Sequence, residues 1–236
     1  MPEILPANDS PSIGELNEGA LHASLKDWVA RPGDEMEVQV GRYVVDVVQD
    51  DLLIEVQTRS LSSIRAKLQD LCAKHRVRLV YPVVGEKLLV RLDPDSGQEL
   101  GRRRSPLKRN WLHLFDELVY APHLLEHPHF ELQAVLVAVE EWRCADGKGS
   151  WRNRGVSIVD RRLREVRDAR LFRCGADLAA LLPDDLMAPF THRELARASG
   201  VRLPTAQRAS YCLRKLGILR VVGRRGRAML LEPAKP

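Results

Sequence analysis

The sequence predicts an α/β fold, and three features of it carry that expectation. Within about eighty residues, helical spacing of apolar residues gives way to short strand-like runs, returns, and gives way again. Pro, Gly and Asp-rich breaks punctuate those runs at short intervals, as tight connections do. Charge is unevenly spread. Residues 1–100 hold 11 Lys/Arg against 17 Asp/Glu, a net −6; residues 101–186 hold 15 against 13, a net +2; residues 187–236 hold 11 against 2, a net +9. An acidic first part and a strongly basic last part point to a modular chain whose tail meets a polyanion.

Residues 1–13 carry three prolines and no periodicity, so they read as a loose leader. Between Gly14 and Ala30, Leu16, Ala20, Leu21, Leu25, Trp28 and Val29 recur at three- and four-residue steps, which predicts an amphipathic helix ended by Arg31-Pro32-Gly33. Glu35–Val40, Tyr43–Val48 and Leu52–Thr58 predict an antiparallel meander with breaks at Gly41-Arg42 and Gln49-Asp50-Asp51. A second helix is expected over Leu61–His75. Two more strands, Val77–Val84 and Lys87–Leu92, are expected around a Gly85-Glu86 turn. The order is helix, three-strand meander, helix, two strands, and residues 14–100 form the first domain. Residues 101–186 read as an α+β middle region: a helix over Trp111–Leu125, an extended Phe130–Arg143, a return strand in Trp151–Val166, and a short helix over Gly175–Leu182.

Residues 187–236 have the clearest local signals. Thr191 and Glu194 make a capping box opening a helix that Gly200 stops. Pro204 stands in the first turn of a second helix reaching Leu216, and two strands flank Gly223-Arg224-Arg225-Gly226-Arg227. Helix, turn, helix and basic hairpin outline a winged helix. In that reading Thr205, Gln207, Arg208, Tyr211 and Lys215 face a DNA groove, and Arg224, Arg225 and Arg227 grip phosphates. The competing reading is a packing module whose arginines are merely solvated.

Membrane insertion is not expected, because no apolar run approaches the ~20 residues a spanning helix needs. The N-terminus lacks the basic head and apolar middle of a signal peptide. Cys72, Cys144, Cys174 and Cys212 are scattered without a C-x-x-C pair, which suits a reducing compartment. A cytoplasmic location is the expectation.

The candidate chemistry lies in the meander. Asp46 interrupts the apolar Val44-Val45-Asp46-Val47-Val48, and Glu55 interrupts Leu53-Ile54-Glu55-Val56. A carboxylate desolvated in such a run costs several kcal/mol unless it is paired or binds a metal. Glu55 and Gln57 share a strand face about 6.8 Å apart. The short hairpin brings Asp46 near Glu55. With a backbone carbonyl such as that of Val56, these acids make a hard-oxygen site suited to Mg²⁺ or Mn²⁺. The competing reading leaves both acids on a half-exposed sheet face.

A helix bearing Glu18, a strand bearing Asp46 and Glu55-x-Gln57 on the next strand together resemble the PD-(D/E)XK, or restriction-endonuclease-like, nuclease superfamily over residues 14–92. The resemblance implies that Asp46 and Glu55 are metal ligands, that Glu18 is an added helix carboxylate, and that Gln57 stands where lysine is usual. Lys67 on the following helix, or Lys87, is the candidate for the missing positive charge. It implies a divalent-metal-dependent DNA endonuclease and, by analogy, a homodimer. The alternative is a non-enzymatic DNA-binding regulator with an inactive nuclease-like domain. His123-Leu124-Leu125-Glu126-His127 matches an inverted zincin signature, but Pro128 interrupts the helix that motif requires.

Overall fold

Val, Leu and Ile concentrate in three stretches of residues 35–56, and the stretches are too short and too close for helices. The computed structural model, which describes residues 19–149, 151 and 154–234, folds them as β1 (Glu35–Val40), β2 (Tyr43–Gln49) and β3 (Leu52–Val56). They form the expected antiparallel meander. Asp50 takes a φ of 51° in the second turn, a left-handed conformation that aspartate tolerates better than most residues.

Beyond Ile54 the third strand parts from the second. Leu52–Val56 pairs in parallel with Arg76–Val80 of β4 (Arg76–Leu92), and α2 (Arg65–Cys72) forms the crossover. On its other edge β4 runs parallel to β6 (Phe130–Cys144), which pairs antiparallel with β7 (Ser157–Phe172). Beyond the reach of β3, the far end of β4 is covered by β5 (Glu99–Arg104). Among the described residues the result is one seven-stranded mixed sheet.

Alternate residues of β3 show where the layers lie. Leu52, Ile54 and Val56 pack with Leu21 and Leu25 of α1 (Ala20–Val29), whereas Leu53 packs with Leu68 and Leu71 of α2. The two helices therefore cover opposite faces of the sheet.

Several expectations need correction. Gly85-Glu86 is no hairpin turn: β4 continues through it, with a register shift between Val84 and Glu86. A Cβ at Gly85 would lie 3.0 Å from Leu136 Cδ1, and the Gly85 carbonyl accepts from the Arg109 N–H, so the glycine marks a bulge under close backbone approach. Residues 101–186 are no separate unit, because β6 and β7 complete the same sheet. An apolar strand such as β4, buried on both faces, needs a paired neighbour on each edge. The helix expected over Trp111–Leu125 breaks into a 3₁₀ turn (Trp111–Leu114), α3 (Phe115–Leu118) and a second 3₁₀ turn (Pro122–Glu126). Pro122 lacks the N–H needed to continue it. The strand sought in 151–166 starts at Ser157 and runs to Phe172.

The C-terminal fifty residues form α4 (His192–Ala198), α5 (Leu203–Lys215) and the hairpin of β8 (Leu219–Arg225) and β9 (Ala228–Pro233). Thr191 and Glu194 cap α4 reciprocally as expected. This part is not a detached bead. Leu195, Ala206, Ala209 and Leu213 share a core with Leu112, Phe115 and Leu118. Among the described residues no helix is long and apolar enough to cross a membrane. All four cysteines carry free thiols.

Candidate functional site

Hydrogen bonding between β2 and β3 ends at Val47 and Ile54. One step further, Asp46 and Glu55 stand across the gap where the strands part. There the Val56 N–H, which β2 no longer engages, donates to Asp46 Oδ2 at 2.7 Å. Strand divergence thus creates both the opening and the donor that fixes the carboxylate in it.

Two helices close on this gap from opposite faces. From α1, His22 Nε2 lies 2.8 Å from the Val56 carbonyl and 3.4 Å from Asp46 Oδ2. From α2, Lys67 Nζ donates to the Val44 carbonyl at 2.6 Å and lies 2.6 Å from Glu55 Oε1. That second contact is a short ion pair that occupies the buried Oε1. Lys67 thus stands at the acids, whereas Lys87 pairs with Glu141 at 2.7 Å, away from them.

The two acids differ electrostatically because their surroundings differ. Burial and the nearby Asp46 charge push the Glu55 carboxyl up to about 7, against the pull of Lys67. Burial also acts to raise Asp46, but His22, the Val56 N–H and the charge of Lys67 outweigh it and hold Asp46 below the usual carboxylate range. Near neutral pH one acid is ionised and the other is poised to exchange a proton. The expectation that both strands are buried on both faces holds for β3, but β2 alternates between buried and half-open positions, and Asp46 lies on its open side.

Gln57 is placed differently from the expectation. Its backbone N–H continues the pairing to Val80. Its carboxamide accepts from the Arg59 N–H and donates to Ser63 Oγ at 3.1 Å, tying down the Arg59–Ser63 loop. It makes no hydrogen bond to either acid. Glu18 lies outside the described residues. Among those described, no group of three or more His, Cys, Asp and Glu side chains converges in a metal-holding arrangement. His22 escaped the sequence reading. Its one sequence signal is a helical i, i+4 spacing from Glu18. The His123/Glu126/His127 motif sits on a 3₁₀ turn, with His123 Nδ1 engaged by Glu126 at 2.7 Å, so its histidines do not share an α-helical face.

The residues expected on nucleic acid divide into two groups. Gln207, Tyr211 and Lys215 are exposed along α5, with the Lys215 ammonium 5.9 Å from the Tyr211 ring centre. Arg224 and Arg227 are exposed on the hairpin. Arg208, also exposed, and the buried Thr205 are both bonded to Asp116 Oδ1, at 2.8 and 3.1 Å. Thr205 is buried by that contact, so it cannot face a groove. Arg225 pairs with Glu194 of α4 at 2.7 Å.

Residues 19–173, from α1 through β7, match the family model described as "Domain of unknown function (DUF8091)". The chain belongs to this family. Across 227 residues it is also 34% identical to an uncharacterized protein of Treponema pallidum (strain Nichols), covering 95% of this chain and 89% of that one. No solved structure matches it. The DUF8091 match takes in the whole seven-stranded sheet, with its acids and both flanking helices, and ends before α4.

Proposed function

We propose that this DUF8091 protein is a divalent-metal-dependent DNA endonuclease of the PD-(D/E)XK type whose C-terminal helices and hairpin act as a winged helix on the duplex. The observation that carries this reading is that Asp46 and Glu55 flank the point where β2 and β3 part, near enough for the Asp46 charge to act on Glu55, with Lys67 beside Glu55. Two carboxylates and the Val56 carbonyl are hard oxygen donors that fit Mg²⁺ or Mn²⁺. Glu55 Oε1 is buried against the Lys67 ammonium at 2.6 Å, so the site already favours positive charge at that oxygen.

A divalent ion held by these residues would supply hydroxide near neutral pH and offset charge developing on the cleaved phosphate. The chain's own groups do the rest. Asp46, held ionised, would anchor such an ion, and Glu55, whose carboxyl sits near 7, would release its proton to water on joining it. Lys67 supplies the cation that Gln57 cannot, and Gln57 holds the neighbouring loop.

A second reading, a DNA-binding regulator without enzymatic activity, draws on one specific observation. Lys67 and His22 already engage both carboxylates, as they would in a site converted to structural use.

Supercoiled plasmid incubated with Mg²⁺ or Mn²⁺ separates the two. The endonuclease reading expects nicking or linearisation that falls by about 100-fold or more in Asp46→Asn and Glu55→Gln, the scale of losing one group essential to transition-state charge. Plasmid that is retarded in a gel but never cut by the wild type supports the regulator.

A further inference from the structure

Beside the parting strands lies a cleft of about 440 Å³, bounded by Leu21 of α1 and by Thr58, two residues beyond Val56. Five of its lining side chains are cations and two are acids. Both acids are engaged: Asp116 binds Arg208, and Glu117 accepts from the Leu61 N–H at 3.2 Å. The remaining positive charge is organised from beneath. Glu141, fully buried in β6, binds Lys87 at 2.7 Å, Arg143 at 2.5 Å and Arg161 at 3.0 Å. These cations hold its carboxyl down at about 2 against burial, so it stays ionised. One carboxylate anchoring three cations leaves a surplus, and two of the three, Lys87 and Arg161, reach the cleft wall. Arg109 adds an exposed guanidinium with no ion pair among the described residues, and Tyr81 and Tyr120 supply aromatic surface, Tyr120 being about half exposed.

We infer that this cleft binds a single-stranded stretch of nucleic acid, its phosphates on Lys87, Arg109 and Arg161 and a base against Tyr120, and delivers that strand to the neighbouring acids. The inference rests on the endonuclease reading for the use of the strand, but the binding stands on the cleft alone. Cations that track a backbone, beside aromatic rings that stack bases, are the pattern of sequence-tolerant single-strand sites. At about 440 Å³ the cleft is on the scale of pockets that enclose one small ligand, about 300–1,000 Å³, which suits an unstacked nucleotide better than a base-paired duplex. The duplex is left to α5 and the hairpin.

The test is fluorescence anisotropy on the full chain in EDTA, which removes cleavage from the readout. The probes are an oligothymidylate of about 12 nucleotides and a blunt duplex of about 20 base pairs. Tyr120→Ala is expected to weaken oligothymidylate binding about fivefold or more. Arg109→Ala is expected to weaken it and to lower the slope of log affinity against log salt by about 0.7, the effect of withdrawing one cation from one phosphate. Arg109→Lys should restore most of that slope, and duplex affinity should change less than about twofold in every variant, within the ±0.5 kcal/mol usual for remote surface changes. Both substituted positions are exposed, and circular dichroism checks that each variant is folded. Oligothymidylate that fails to bind, that binds both alanine variants as it binds wild type, or that loses affinity only in parallel with the duplex overturns the inference. Asp46→Asn separates it from the reaction: a failed endonuclease reading leaves cleft binding intact, and a failed cleft leaves metal-dependent plasmid cleavage intact.

Discussion

Glu55 is the residue whose titration reports most directly on the site. Its carboxyl sits near 7 in the fold, against about 4.3 in an unfolded chain. The folded state therefore binds more protons between those values, and the contribution of this group to stability falls as pH rises from about 4 through 7. Replacing it with Gln removes that slope. In EDTA, Glu55→Gln is expected to gain stability over wild type on passing from pH 5 to pH 8, by on the order of 3 kcal/mol, measured by urea unfolding at both pH values. Asp46 acts with the opposite sign: its depressed carboxyl contributes stability at neutral pH that is lost on acidification through the carboxylate range. Lys67→Met tests the ion pair itself. It should cost more at pH 8 than at pH 5, because loss of Lys67 raises the Glu55 carboxyl further, so at pH 8 the variant must bind a proton or bury a charge, whereas at pH 5 Glu55 is already neutral. Asp46 and Glu55 were legible in the sequence because a charge inside an apolar strand is locally anomalous. His22 was not, because nothing in a helix sequence tells which strand end its histidine will reach.

At the scale of elements, local chemistry was the reliable guide and continuity was not. Thr191 with Glu194 and the stop at Gly200, which takes a positive φ, were readable because caps depend on a few adjacent residues. Gly85-Glu86 carries the same glycine signal as a turn, yet β4 runs straight through it. The difference is Leu136 on the neighbouring strand, which occupies the space a side chain would need. Gly85→Val should therefore destabilise the protein by about 1–3 kcal/mol through overpacking, read as a lowered urea midpoint with an unchanged slope. Gly85→Ala should cost less, because Leu136 Cδ1 lies at the end of a side chain that can turn away.

The molecule as a whole is joined more tightly than its charge pattern suggests. Asp116 binds both Thr205 and Arg208 of α5, Asn110 donates to the Ser199 carbonyl at 2.7 Å, and one core runs from α2 through α3 into α4 and α5. Calorimetry is accordingly expected to show one cooperative transition for the full chain, with no separate melting of residues 187–236. Asp116→Ala leaves the buried Thr205 hydroxyl without its partner. It should lower the stability of that single transition by about 1–3 kcal/mol and speed proteolysis between β7 and α4. A wild-type scan resolving two transitions would instead support independent modules.

The sequence by itself determined the α/β class, the meander, the capped C-terminal helices, the free cysteines, and the presence of two acids in neighbouring apolar strands. Each of these depends on residues a few positions apart, where propensity, spacing and desolvation act locally. Only the tertiary structure decided that β6 and β7 join the first sheet, that Lys67 and His22 meet the acids from opposite faces, and that Arg208 pairs with Asp116. Those outcomes depend on which strand edges pair and which helix faces pack, contacts between residues tens of positions apart that no local pattern encodes.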